Sequence, residues 1–306
     1  MNDPTAELAV PEQTPYLWAI GEISGFIMPA VFLRDRSFLR VTGAEAEPFL
    51  HNLITTDLIS LGTDEARPGA LLTPQGKILF DFMISRDGPG FLLETDTAQR
   101  DGLLKRLTMY RLRAPVDFAV GETEGVTVTW GDNAAEGPKD SRFAKAGIAL
   151  TRTSGHHGDD AEALYEALRI ANGIAVSGPD FALQDAFPHD VLLDLNGGLG
   201  FRKGCYVGQE VVSRMQHRGT ARRRVVIVIG SADLPASSTE LTAGGKPIGT
   251  LGSTEGATGL AIVRIDRAGE AIVAGTPILA AGHEVSVALP VWSGLSFPTQ
   301  TDEASA

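Results

Sequence analysis

The chain has 306 residues, a formal net charge of -12 and a hydrophobic fraction of 43%. A soluble chain of this length buries a hydrophobic core and predicts about two domains. The acidic charge disfavours direct binding to nucleic acid, because phosphate backbones attract basic surfaces. The single cysteine excludes an internal disulfide framework and is typical of a reducing compartment, so we predict a cytoplasmic protein.

The first 29 residues are predicted to lie outside the folded domains. Residues 17–33 are apolar, but Glu22 interrupts them and they are short for a membrane span of about 20 residues. Asp3 and Glu12 precede them, where a secretory or transit leader carries basic residues. We therefore expect residues 1–29 to be an extension that is disordered or not native, and we expect no contact with a membrane.

The first predicted elements are a strand and a short helix. Residues 38–41 form an apolar run that is typical of a strand. Thr42 and Glu45 then match a capping box ahead of an apolar stripe in residues 49–54. We therefore predict a short core helix that Thr42 caps.

A β-hairpin is predicted over residues 70–84. Two strand-like runs flank the turn sequence TPQG, which has proline at its second position and glycine at its fourth. Asp81 lies in the second strand among apolar neighbours on both faces, and a buried carboxylate is costly unless it is paired. Two kinds of partner are open: the adjacent N–H donors of an amidine-like pterin ring, or the backbone or an arginine such as Arg111 or Arg113.

Two further helices are predicted, with strands between them. Thr97 is expected to cap a helix in which Asp101 and Lys105 form an i,i+4 ion pair. A second helix begins at residue 159 and stops at Gly173. Strands are predicted at residues 114–120, 126–130 and 148–151. The buried side chains are predicted to be Leu103, Leu104, Leu107 and Tyr110 in the first helix and Leu164, Tyr165, Leu168 and Ala171 in the second.

The composition changes after residue 224. Short strand-like runs separated by glycine-rich turns then predict a small antiparallel β-barrel. Before that point, helices among non-adjacent strands predict an α+β fold. We therefore predict an extension over residues 1–29, an α+β region of two interleaved modules over 30–218, a β-barrel module over 219–292 and a flexible tail over 293–306.

Residues 201–224 differ from the rest of this acidic chain. They contain seven arginines and lysines against one acidic residue, Glu210, which predicts a local anion site. Val211, Val212 and Met215 have helical spacing, so a helix is predicted to begin near Gly208.

Cys205 lies just ahead of this predicted helix and beside Arg202 and Lys203. Neighbouring cations and a helix N-terminus both favour a thiolate, so Cys205 is a candidate reactive residue. The alternative is that this lone cysteine is a small buried hydrophobic residue. His156 and His157 lie in a Gly/Asp-rich loop without the spacing of a metal site, and we predict that both are solvated.

The octet KGCYVGQE, at residues 203–210, resembles the signature of the YgfZ family, which is related to the glycine cleavage T-protein. The segments FLHNLITTDL, LLTPQGKILFDF and KRLTMYRLRAPVDF extend this resemblance over residues 31–292. The resemblance implies a T-protein-like ring of three modules around a central tetrahydrofolate site, with the cysteine loop bordering that site. It implies a reactive or cluster-adjacent role for Cys205. The folate-binding candidates are Asp81, Lys203, Tyr206, Gln209 and Glu210.

Two positions depart from the pattern of T-protein-like enzymes. Those enzymes carry an aspartate pair after the hairpin turn, whereas this chain has Phe80 and Asp81. They also carry a pterin-binding glutamate at a helix end, whereas this chain has Ala171. Both departures disfavour aminomethyl transfer.

The resemblance implies an accessory protein that binds tetrahydrofolate or a derivative and supports assembly or repair of iron-sulfur clusters. The implied partners are iron-sulfur assembly proteins or client iron-sulfur enzymes. One cysteine cannot hold a cluster alone, because clusters take about four protein ligands. One alternative is a folate-dependent one-carbon transferase or demethylase with Asp81 as base. Another is an interaction module whose basic helix binds an acidic partner.

Overall fold

The computed structural model describes residues 30–131, 135–219 and 221–298. These residues form fifteen β-strands, six α-helices and one 3-10 helix. The α+β fold class is therefore confirmed. The expectations for residues 1–29, and for the tail beyond residue 298, lie outside the described residues. No helix in the described ranges is both long and apolar enough to cross a membrane.

Nine strands form one large sheet. In chain order they are β1 (Ala30–Leu33), β2 (Arg36–Thr42), β3 (Glu65–Leu72), β4 (Ile78–Asp87), β5 (Gly90–Asp96), β6 (Asp117–Val120), β7 (Val126–Trp130), β8 (Lys139–Asp140) and β9 (Leu150–Ser154). Their order across the sheet is β1-β7-β9-β8-β3-β4-β5-β2-β6. Neighbouring strands are antiparallel, except that β3 and β8 are parallel.

In the described part of the chain, six α-helices lie between strands. They are α1 (Ala46–His51), α2 (Thr97–Arg111), α3 (Ser141–Lys145), α4 (Glu162–Ala171), α5 (Gln209–His217) and α6 (Ile265–Val273), and a 3-10 helix spans Val291–Ser293. On α2, Leu103 and Leu107 are fully buried against the sheet, as predicted.

The remaining six strands close an antiparallel barrel, as the glycine-rich pattern predicts. They are β10 (Arg223–Gly230), β11 (Glu240–Ala243), β12 (Lys246–Glu255), β13 (Thr258–Arg264), β14 (Ile278–Ala280) and β15 (His283–Ala288). Alternating side chains such as Val226 and Val228 fill the barrel interior, and Ala268 of α6 packs against the same core. The domain boundaries given above stay predictions.

An apolar cluster joins the barrel and α5 to the sheet, and it includes one residue of the KGCYVGQE loop. It contains Leu72 and Ile78 of the hairpin, Tyr206 of the loop, and Val225 of the barrel, all buried. The hairpin itself is confirmed. Gly76 has φ +80° and donates its N–H to the Thr73 carbonyl over 2.8 Å.

Two predicted helix caps are wrong, because tertiary contacts occupy the residues concerned. Thr42 belongs to β2 and pairs with Asp117, so α1 begins only at Ala46 and lacks a side-chain cap. Asp96 caps α2 by accepting from the Ala98 N–H over 2.8 Å, while the Thr97 hydroxyl is hydrogen-bonded to Ser37.

The predicted Asp101–Lys105 ion pair is also wrong, because Asp101 accepts from Arg100 instead. In α4, Tyr165 and Leu168 are buried as predicted, but Leu164 and Ala171 are exposed.

Candidate functional site

The KGCYVGQE loop packs against the tip of the β3–β4 hairpin. Gly208 caps α5 at φ +81°, and a Cβ atom there would lie 2.5 Å from the Thr73 carbonyl oxygen. Glycine is therefore required both for the backbone conformation and for the close approach. Gly76 of the hairpin faces Val211 of α5 in the same contact. The helix start predicted at Gly208 is confirmed.

Lys203 anchors this loop to the segment that follows α1. Its Nζ donates to the carbonyl oxygens of Ile54 over 2.7 Å and Thr56 over 2.8 Å. The same Nζ lies 5.2 Å from the centroid of the Tyr206 ring. Burial lowers the pKa of Lys203 to about 8, against the opposing effect of Asp57. These contacts indicate an anchoring role for Lys203.

We expect Lys203→Met to loosen the loop. Methionine keeps an apolar stem but removes both hydrogen bonds to the carbonyls, so the free energy of unfolding should fall by about 1–3 kcal/mol. Urea unfolding measures this change. Arg202→Met is the matched control, because Arg202 is exposed and its loss should change stability by less than about 0.5 kcal/mol. Equal stability of the two variants would contradict the anchoring role.

Cys205 is exposed, so the alternative of a small buried hydrophobic residue is wrong. Its neighbours in the loop are held inward: Tyr206 is only 7% exposed and Lys203 is half-buried. The Gln209 N–H donates to the Tyr206 carbonyl over 3.2 Å, and exposed Glu210 pairs with Arg214. The loop therefore presents a thiol to solvent on a backbone fixed from both sides.

Exposed cations flank this thiol along the chain. We define the cationic face as Arg202, Arg214, His217, Arg218 and Arg222, all of which are exposed. In the described part of the chain, Arg202 and Arg218 form no salt bridge. The protein has a net charge of -12, but the positive charge of this face would attract an acidic partner.

Asp81 lies at a separate cavity of about 290 Å³ between the sheet and residues 173–196. Its Oδ1 accepts hydrogen bonds from the Ser177 hydroxyl over 2.6 Å and from Gln99 Nε2 over 3.1 Å. Neither Arg111 nor Arg113 is its partner; the Arg111 side chain donates to the Val116 carbonyl instead. The half-buried Asp81 carboxylate therefore faces the cavity without a cationic partner among the described residues.

The walls of this cavity suit a flat ring beside the Asp81 carboxylate. Apolar side chains on its lining include Ile78, Phe181, Val191 and Trp292. The Trp292 indole N–H donates to the Asn172 carbonyl over 2.8 Å, which fixes the ring plane. A carboxylate acceptor beside apolar walls fits a pterin. At the nearby end of α4, exposed Ala171 provides no second carboxylate.

The structure does not bring the two sets of predicted folate ligands together. Lys203, Tyr206, Gln209 and Glu210 are absent from the lining of the Asp81 cavity. The loop packs against the tip of the hairpin, whereas Asp81 lies further along β4. A folate-binding role for these four residues stays a prediction.

Sequence reasoning missed a buried ionic network beside the cavity. Glu94 of β5 accepts from Arg36 Nε over 2.7 Å and from Arg152 Nη2 over 2.6 Å. Arg152 also donates to Asp140 over 3.0 Å, and Asp140 pairs with Arg142. The arginines overcome the effect of burial and lower the pKa of Glu94 to about 2. The available signal was Glu94 itself, a lone charge inside the apolar run FLLE.

His156 and His157 are exposed, which confirms the prediction that both are solvated. His156 also stacks on Phe32 with ring centroids 4.1 Å apart.

Comparison with known proteins identifies the family to which the chain is similar. Residues 222–295 match the family described as CAF17, C-terminal beta-barrel domain. The mouse mitochondrial iron-sulfur cluster assembly factor IBA57 is 30% identical over 280 residues, which cover 76% of this chain and 76% of the mouse protein. The chain belongs to the CAF17/IBA57 family. The relatives carry the name IBA57, whereas the sequence motif resembles that of the related YgfZ family.

Fungal IBA57 homologues show similar sequence identity, but the matched region covers a smaller share of their length. The protein of Pyricularia oryzae is 30% identical over 63% of this chain and 55% of its own length. The protein of Coccidioides immitis is 33% identical over 65% of this chain and 56% of its own length. This IBA57-family chain therefore spans little more than half of the length of these fungal relatives.

The fold of this IBA57-family chain is that of the glycine cleavage T-protein. The crystal structure of aminomethyltransferase T from Bartonella henselae superposes with a TM-score of 0.64, covering 89% of this chain and 88% of the enzyme. The sequence identity is 16%, so the likeness concerns the fold alone. The predicted T-protein-like architecture with a C-terminal β-barrel is confirmed.

The prediction of a cytoplasmic location is wrong. The mouse and fungal relatives are named as mitochondrial proteins. The prediction used the single cysteine, but one cysteine can form no internal disulfide in any compartment. Cysteine content therefore could not distinguish the cytoplasm from a mitochondrion.

Proposed function

We propose that this chain supports the assembly or repair of iron-sulfur clusters in client enzymes, acting through Cys205. The observation that carries the proposal is the exposed thiol on a loop anchored by Lys203 and Tyr206. Relatives named as iron-sulfur cluster assembly factors support it. Replacement of Cys205 by serine, followed by assay of iron-sulfur enzymes, tests it.

The chain supplies one thiolate, so the cluster must receive its other ligands from elsewhere. A cluster takes about four protein ligands, and Cys205 is the only cysteine of the chain. An assembly protein or the client enzyme would provide the remainder. The cationic face beside Cys205 would orient an acidic partner, because complementary charge accelerates encounter and fixes register.

The Asp81 cavity is proposed to bind tetrahydrofolate or a derivative. Asp81 would accept N–H donors of the pterin, held in place by Ser177 and Gln99. Phe181 and Trp292 would contact the ring faces. A bound reduced folate supplies or accepts one-carbon units. Since the loop residues do not line this cavity, folate would act at a place distinct from Cys205.

We expect Asp81→Asn to weaken tetrahydrofolate binding by roughly 1–3 kcal/mol, the cost of losing a charged hydrogen bond. The asparagine oxygen can still accept from Ser177 and Gln99, so the fold should survive. Isothermal titration with tetrahydrofolate and its one-carbon derivatives measures the affinity. Asp101→Asn is the matched control, because Asp101 is exposed on α2.

Absence of binding by the wild type at millimolar tetrahydrofolate would refute the folate site. Unfolding of Asp81→Asn would show instead that the carboxylate is structural.

A second candidate function is folate-dependent one-carbon transfer or demethylation. The observation that favours it is the Asp81 carboxylate, which faces the cavity unpaired with any cation of the described residues and so can orient an amine or accept its proton. This function requires turnover. Formation of methylenetetrahydrofolate from an aminomethyl donor would distinguish it from an accessory role.

A further inference from the structure

The end of α2 exposes apolar side chains that do not join the core. Leu112, directly after α2, is 87% exposed, and Met109 is 60% exposed. Lys105 and Met109 are spaced i and i+4 on α2 and share one face of the helix, and Leu112 follows directly after the helix. The opposite face packs into the core through Leu103 and Leu107. The side chains of Met109 and Leu112 therefore bury little apolar surface in the folded chain.

Leu112 also has a backbone conformation that leucine rarely adopts. Its φ is +49° and its ψ is -102°. This is the mirror image of an ordinary extended conformation, which glycine accepts easily but a residue with a Cβ atom does not. An exposed leucine under backbone strain does not stabilise the monomer. Such strain is concentrated at sites of function.

Three cations without a salt bridge in the described part of the chain lie close in sequence to these apolar side chains. Among the described residues, Lys105, Arg106 and Arg113 form no salt bridge, and the acid nearest along the helix face, Asp101, pairs with Arg100. Lys105 and Arg106 lie more than a turn before the helix end, so compensation of the helix dipole does not account for them. A cluster of free cations is unusual on a chain whose net charge is -12.

We propose that this surface, the α2-end patch of Lys105, Arg106, Met109, Leu112 and Arg113, docks an acidic segment of a partner protein that carries apolar side chains. The cations would attract the segment and fix its register, and Met109 with Leu112 would bury against its apolar residues. The patch lies on and directly after α2, whereas Arg214 and His217 of the cationic face lie on α5. The docking surface is therefore additional to the thiol site.

The first test uses the full chain and a fluorescein-labelled peptide of twelve residues in which acidic residues alternate with leucines. Fluorescence anisotropy should show binding that weakens with salt. Binding should be lost when serine replaces either the acids or the leucines of the peptide. The double variant Lys105→Glu/Arg113→Glu should weaken binding by at least about tenfold.

Lys145→Glu/Lys246→Glu is the matched control, since it reverses two exposed charges on α3 and β12 instead. It should leave most of the affinity intact. If this control abolishes binding and the α2-end variant does not, the proposal is overturned. It is equally overturned if the patch binds phosphatidylserine vesicles through the same residues and does not bind the peptide.

The second test separates binding from structure at Leu112. Leu112→Gly removes the side chain and relieves the backbone strain, so it should weaken peptide binding several-fold while the melting temperature rises by a few degrees. Val291→Ser is the control for loss of an exposed apolar side chain, because Val291 is 84% exposed on another element. A lower melting temperature for Leu112→Gly would make the leucine structural and overturn the proposal.

Discussion

Cells that carry only the Cys205→Ser variant are expected to show iron-sulfur enzyme activity, such as that of aconitase, close to the level of cells lacking the protein. Serine is nearly isosteric with cysteine but provides no thiolate at neutral pH. Because Cys205 is exposed, serine removes little buried contact. The purified variant should therefore melt within a few degrees of the wild type.

Two measurements make this result interpretable. The abundance of Cys205→Ser in the cells must equal that of the wild type, and its affinity for tetrahydrofolate should be unchanged, because Cys205 does not line the Asp81 cavity. Lys246→Ser is a suitable control for an exposed change, because Lys246 lies on the barrel strand β12. Normal aconitase activity at normal abundance would refute the thiol mechanism and favour the folate cavity as the functional site.

Breaking the buried network at Glu94 is expected to produce the largest loss of stability. Glu94→Gln leaves the guanidinium groups of Arg36 and Arg152 without their shared carboxylate, and Arg152 has almost no access to water. Removing one partner from a buried ion pair costs about 3–5 kcal/mol, and because Asp140 still accepts from Arg152 we expect the lower end of this range. Chemical unfolding in urea at pH 7 measures the change.

The same carboxylate predicts how stability depends on pH. The pKa of Glu94 is about 2 in the folded chain and 4.5 when unperturbed, so the unfolded state binds the proton more readily. The stabilisation is complete above pH 4.5 and is lost as the pH falls towards 2. This shift corresponds to about 3 kcal/mol.

Glu94→Gln should remove this part of the acid dependence, whereas Glu124→Gln, at an exposed position, should keep it. An acid-unfolding curve of Glu94→Gln with the slope of the wild type would show that other groups determine acid stability.

The sequence by itself determined the features that depend on local conformation. The TPQG turn predicts the β3–β4 hairpin because proline and glycine restrict the backbone to that turn. Gly208 predicts the start of α5, and the alternation of short runs with glycine turns predicts the barrel. The motif around Cys205 implied the T-protein-like fold, which the structural comparison confirms. For the turn and the helix start the information lies within a few consecutive residues, and for the barrel it lies in a repeated local pattern.

Only the tertiary structure decided the partners of the buried polar groups. Asp81 is held by Ser177, which lies 96 residues away, although the sequence analysis considered only a pterin, the backbone or an arginine as its partner. Glu94 meets Arg36 and Arg152, each 58 residues distant. None of the loop residues 203–210 lines the Asp81 cavity. Periodicity records which face of an element is apolar, but strand order and the docking of helices determine which distant side chains meet.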